Sequence, residues 1–230
     1  MPQAQNARFV VGIDTCGPSG SVALGGIAGE SVEILGQIEL EGRNYSATLV
    51  AAVAELLAHA GVELKRVGAI VAVNGPGSFT GVRVGLSAAK GLAEAGQIPV
   101  VAVSRLEVLA WKAGVDSAAL DAHRHEVFLR LAAAGGTARE LVAGPEELAA
   151  LRPTSGQIAA CDEAAAALLN ASLPAIQLVR TTPPTAADAL KLCGSRVVEA
   201  DFVDIALLDG NYLRRSDAEI FGEAAKAQSG

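Results

Sequence analysis

The apolar positions of this chain fall into short blocks that switch between the two-residue period of a strand and the 3.6-residue period of a helix. Phe9–Ile13, Ser21–Leu24 and Val32–Leu35 read as strands, and Gly17-Pro18-Ser19-Gly20 makes the turn between the first two. Tyr45 to Ala60 reads as a helix with Leu49, Val53, Leu56 and Leu57 on one face; Asn44 or Ser46 offers a cap and Gly61 an end. Val67–Val73 is a continuous apolar run, as expected of a strand covered on both faces. A helix to about Ala95 and a strand Ile98–Val103 follow. Hairpin, strand, helix, strand, helix, strand is the signature of a mixed α/β lobe.

The second half echoes the first. Ala118–Ala122, Glu126–Leu131 and Arg139–Val142 read as strands, with a turn at Gly135-Gly136, and Glu146–Leu151 as a short helix. Strand Gln157–Ala160, helix Glu163–Leu169, strand Ile176–Val179, helix Ala186–Glu199 and a tail strand near Tyr212 complete the pattern. Asp14 and Asp121 each fall at the end of the first strand of their half. The halves divide the chain into residues 1–103 and 104–230.

The most distinctive stretch runs from Val71 to Leu92, a buried strand passing through Asn74-Gly75-Pro76-Gly77 into a helix that Ser78 or Thr80 can cap. Gly81 and Gly85 stand four apart, and Ala88, Ala89 and Leu92 continue that side. A helix-interior glycine costs about 1 kcal/mol against alanine, so two on one face point to another backbone in close approach. The spacing is not that of a P-loop, because no Lys follows Gly81. Nor is it the dinucleotide fingerprint, since Gly75, Gly77 and Gly81 give G-x-G-x-x-x-G, one residue too long. A tightly packed strand-to-helix turn is the plain alternative.

The wording Asn74-Gly75-Pro76-Gly77-Ser78-Phe79-Thr80-Gly81-Val82-Arg83-Val84-Gly85-Leu86 resembles the signature of the bacterial TsaB family, the partner subunit in tRNA threonylcarbamoyladenosine synthesis. Val10 to Thr15 with Ser21–Leu24, Asp121-Ala122 with Glu126–Phe128, and Asn211 to Arg214 with Ser216 and Ala218-Glu219 extend the resemblance in the same order along the chain. It implies two related lobes of the actin/sugar-kinase/Hsp70 type. It also implies a non-catalytic subunit that holds and activates a catalytic relative, TsaD, with an ATPase, TsaE, docking on the pair. TsaD transfers a threonylcarbamoyl group to the adenosine beside the anticodon of ANN-reading tRNAs. The corresponding helices pair with TsaD, or with a second copy when it is absent. Carried onto this chain, the interface comprises Leu49, Val53, Gly81, Val84, Gly85, Ala88 and Leu92. The rival is that this face packs only on its own sheet.

Composition sharpens that picture. Hydrophobic residues make up 51% and aromatics 3%, so a large core is built mainly of Ala, Val and Leu. No run of 18 apolar residues marks a membrane span, and Met1 to Arg8 lacks the apolar region of a secretory signal. Cys16, Cys161 and Cys193 form no C-x-x-C pair and fit a reduced cytoplasm as buried small side chains. Net charge is −7, with small basic groups at Arg124–Arg130 and Arg214-Arg215, so tRNA would be met only through the complex.

The candidate chemistry is sparse. The first hairpin, Asp14 to Ser21, keeps an Asp and two glycines, as kinase-like relatives do around phosphates, whereas Asp121-Ala122-His123-Arg124-His125-Glu126 has no glycine. A divergent kinase-like ATPase using Asp14 and Asp121 is the alternative function, and weak or absent nucleotide binding is the expectation. Asp121, His123 and His125 would share a face if the strand continued, a possible metal set with no fourth ligand; a solvated strand end is the plainer account. His123 also stands where the family has Arg. The H-x-x-x-H pair of the catalytic relative is missing from Asn44 to Leu49, which argues against a protease. No metal and no cofactor are expected. Asp14, Ser78 and Thr80 each have an ordinary use in a turn or cap.

Overall fold

A computed structural model describes residues 9–41, 44–133, 136–151 and 156–213. Arg214-Arg215, the signature residues Ser216 and Ala218-Glu219, and the tail after Ile220 lie outside them. In the first half, strands β1 (Phe9–Asp14), β2 (Ser19–Ala28), β3 (Ser31–Glu41), β4 (Val67–Val73) and β5 (Val100–Val103) alternate with helices α1 (Tyr45–His59) and α2 (Phe79–Gly96). After α3 (Arg105–Ala113) come β6 (Ala118–Asp121), β7 (Val127–Ala133), β8 (Gly136–Ala143), α4 (Pro145–Ala150), β9 (Gln157–Ala160), α5 (Glu163–Ser172) and β10 (Gln177–Arg180). Helices α6 (Ala186–Leu192) and α7 (Gly194–Val198) close the series.

The two sheets share one plan. The first has the order β3-β2-β1-β4-β5 and the second β10-β9-β6-β7-β8, which read from its other edge is the same arrangement. In each, the first strand pairs antiparallel with the second and parallel with the fourth. This duplicated, helix-flanked sheet is the α/β architecture of the actin/sugar-kinase/Hsp70 type that the sequence implies.

Side-chain alternation packs both faces of each sheet. On β1, Ile13 faces α2, where it lies 3.7 Å from the position a Cβ on Gly85 would take, while Gly12 faces α6. Only a glycine fits at position 12, since a Cβ would come within 2.8 Å of the Ala186 carbonyl oxygen. Ala186, Ala189 and Leu190 of α6 therefore join the core of the first sheet, and the Ala186 N–H donates to Ser21 Oγ at 2.8 Å. On the second sheet Leu120 and Phe128 pack with Leu106 and Leu109 of α3, whereas Val127 and Leu129 pack with Leu148 and Leu169 of α4 and α5.

Four local expectations are corrected. Helix α3 is an element that the apolar pattern does not announce, although Ser104 caps it by accepting from the Leu106 N–H at 3.2 Å. Ala186–Glu199 is two helices, broken at Cys193. Asn211–Leu213 is not a strand; the Asn211 N–H donates to the Asn74 carbonyl at 2.7 Å and its Nδ2 to Glu140 Oε2 at 2.6 Å, strapping the chain across both halves. The strand ending at Asp121 does not run on to His125: His123, Arg124 and His125 all take left-handed backbone, with φ of 60°, 55° and 60°. Alternation no longer applies there, so Asp121, His123 and His125 do not share a strand face.

Candidate functional site

Two places concentrate the residues singled out above: the β1–β2 turn, and the groove between α1 and α2. At the turn, Asp14 is 2% exposed. Its Oδ1 accepts the Cys16 N–H at 2.8 Å, the expected turn role, and its Oδ2 lies 3.5 Å from Arg105 Nε. Arg105 is 6% exposed and stands at the first position of α3, where its own N–H donates to the Gly75 carbonyl at 2.6 Å. Its guanidinium packs so closely on Gly17 that a Cβ there would overlap it. Tyr45 at the start of α1 donates its hydroxyl to the Gly17 carbonyl at 2.9 Å. The turn that would face a phosphate is thus filled from inside by Arg105 and walled by Tyr45.

This burial sets the electrostatics. Desolvation, then the charge of Asp14, pushes the Cys16 thiol well above its usual range, and the same causes push Tyr45 up to about 12. For Arg105, burial works against the charge, but Asp14 and the neighbouring cysteines outweigh it and its pKa is raised. The guanidinium stays charged, with its Nε making no hydrogen bond.

The small face of α2 makes its close approach inside the chain. A Cβ on Gly81 would overlap the Thr15 carbonyl oxygen, and one on Gly85 the Thr15 hydroxyl. Thr15 Oγ1 donates to the Gly81 carbonyl at 2.7 Å, locking the helix to the first hairpin. Gly81, Gly85 and Val53 are buried, so the direct contact expected of them with another chain is replaced by contact with this chain's own core. Leu92 is half-buried against that core. Ser78 is the cap of α2, its Oγ accepting the Gly81 N–H at 3.3 Å.

Leu49, Val84 and Ala88 lie elsewhere. They line an open groove of about 600 Å³ between α1 and α2, Leu49 as a buried core residue beneath it, together with Tyr45, Val50 and Phe79. Val50 is 55% and Phe79 40% exposed, large apolar side chains left in water by the fold. The sequence singled out Leu49 and Val84 but not their neighbours Val50 and Arg83, nor Phe79, because the apolar periodicity of α1 and the small-residue stripe of α2 mark the faces turned toward the core. The signal for Arg105 is Ser104 to Glu107, a capping-box spacing followed by Leu109 and Ala110, which marks a helix start.

The second turn is built on the same Asp. Asp121 Oδ1 accepts the His123 N–H at 2.8 Å, and Oδ2 lies 2.9 Å from His123 Nδ1. The His123 side chain is 86% exposed. Among the described residues, no group of three or more His, Cys, Asp or Glu is placed to hold a metal ion, and no helix is long and apolar enough to cross a membrane.

The family model described as TsaD, tRNA N6-adenosine threonylcarbamoyltransferase, matches residues 34–181, a span that takes in strands of both sheets. A solved Pseudomonas aeruginosa protein, described as uncharacterized with similarity to peptidase YEAZ, is 30% identical with a TM-score of 0.73, the match covering 90% of this chain and 99% of that one. The tRNA threonylcarbamoyladenosine biosynthesis protein TsaB of Escherichia coli is 33% identical over 125 residues, 52% of either chain. The chain belongs to the TsaB family. The TsaB of Haemophilus influenzae is 38% identical over 96 residues, 39% of this chain and 41% of that one. The chain thus spans about half the length of the curated TsaB relatives it matches.

Proposed function

We propose that this chain is a non-catalytic partner-binding subunit in tRNA threonylcarbamoyladenosine synthesis. In this reading it pairs through α1 and α2 with a TsaD catalytic subunit, pairs with a second copy when alone, and meets the TsaE ATPase and tRNA only within the assembly. The observation that carries it is the open α1–α2 groove with Val50 and Phe79 exposed, in a chain whose matches to TsaB and TsaD support the pathway. Apolar side chains exposed along a helix pair are what a helix-on-helix contact covers.

The kinase-like alternative finds less support. A phosphate-positioning carboxylate must reach solvent, yet Asp14 is buried with both oxygens engaged by Cys16 and Arg105. Light scattering on a sizing column, for the chain alone and mixed with TsaD from the same organism, tests the proposal. A dimer that gives way to a one-to-one complex, lost in a folded Val50→Glu variant, is the expected result. Association unaffected by Val50→Glu would move the interface off the groove, and no association at all would overturn the proposal.

A further inference from the structure

Arg83 is the one charged side chain among the described residues lining the groove. Its guanidinium carbon lies over the Phe79 ring, 3.7 Å from the centroid, and 5.9 Å from the centroid of Tyr212. Tyr212 in turn sits 5.1 Å from Phe79, ring centre to ring centre, and its hydroxyl accepts from Arg83 Nε at 3.4 Å. The strap that anchors Asn211 to Asn74 and Glu140 thus places an aromatic brace beside an exposed cation. Two rings flank the guanidinium, while its terminal N–H groups, on an exposed residue, meet no carboxylate among the described residues.

The local field has the same sign. Tyr45 and Ser46 of α1 and Phe79 and Thr80 of α2 all line the groove, so both helices open at it, and neither has an acidic residue in its first turn. The first carboxylates along the two helices are Glu55 and Glu94. Two copies meeting through this face would bring two Arg83 cations together with no carboxylate among the described lining residues, so a partner that carries one is favoured.

We propose that Arg83 is the specificity residue of this groove, pairing with one Asp or Glu on an apolar helix of the partner and so favouring that partner over a second copy. The assignment rests on the docking reading above. Tyr212 acts through Arg83 as a positioning residue.

The test is titration of TsaD from the same organism into the wild-type chain, Arg83→Ala and Arg83→Glu at about 0.05 and 0.5 M salt, beside the self-association of each variant by light scattering. Arg83 is exposed, so the variants should melt as wild type does. The expected result is about a tenfold loss of affinity for TsaD in Arg83→Ala, with the salt dependence largely gone, and a larger loss in Arg83→Glu. Self-association should hold or tighten in Arg83→Ala. Tyr212→Phe, which keeps the ring, should retain most of the affinity, and Tyr212→Ala should not. Wild-type affinity in Arg83→Glu, or equal losses of self and partner binding in Arg83→Ala, overturns the assignment alone. No binding by the wild-type chain overturns the docking reading and this assignment with it.

Discussion

The β1–β2 and β6–β7 turns occupy the same place in two sheets of one strand order, and each opens with an Asp that accepts the N–H two residues on. They have diverged in opposite directions. The first has been drawn inward: Asp14 meets a buried Arg105, Gly17 lies under its guanidinium, and Gly81 and Gly85 let α2 settle onto Thr15. The second has stayed in water, where Asp121 pairs with a histidine that is almost wholly exposed, and three residues with side chains take backbone that suits glycine. The same turn has become a keystone in one half and a solvated loop in the other. Burial, more than residue identity, decides what an aspartate at the end of a first strand can do.

The largest expected effect comes from breaking the buried pair. Arg105→Ala leaves Asp14 buried and unpaired, so it should cost about 3–5 kcal/mol in urea unfolding. Asp121→Asn at the matching place should cost under about 1 kcal/mol, because its histidine partner is exposed. Equal costs would dissolve the comparison. The glycines of α2 sharpen it next. Gly81→Ala and Gly85→Ala should each lose about 1–3 kcal/mol through overlap with Thr15. Gly91→Ala, on the same helix with nothing within 4 Å of its Cβ, should gain up to about 1 kcal/mol.

At the second turn, His125→Gly should stabilise the chain by about 1 kcal/mol by relieving its left-handed φ of 60°. The first turn also carries a pH dependence. Tyr45 is raised from 10 to about 12 by burial and Asp14, so above pH 10 the unfolded chain sheds that proton while the folded chain keeps it. Stability should therefore fall as pH rises from 10 to 12, and the fall should be shallower in Tyr45→Phe.

Much of this was legible in the residues. The apolar run Val67–Val73 and its passage through Gly75-Pro76-Gly77 to a Ser78 cap are local signals, and the structure places them as the spacing predicts. The echo of Asp14 in Asp121 foretold the duplicated sheet. What sequence could not specify is the direction of a close approach. Two glycines on one helix face announce that something comes near, but Thr15, 66 residues before Gly81, is brought there by tertiary packing alone. The break at His123–His125 falls between the two strands that the pattern predicts, but without a glycine nothing in the sequence marks its left-handed backbone, which is what separates Asp121, His123 and His125. The strap at Tyr212 is set by contacts with Asn74, Phe79 and Glu140, none of which is local.

Hydrogen–deuterium exchange of the chain, alone and with TsaD, would test most directly whether the working surface is the α1–α2 groove and the first turn only its support. The account predicts slower exchange in the complex across Tyr45–Ala54 and Phe79–Ala88, with the turn from Asp14 to Gly20 unchanged. Slowing confined to that turn or to the second sheet, with the two helices unaffected, would contradict it.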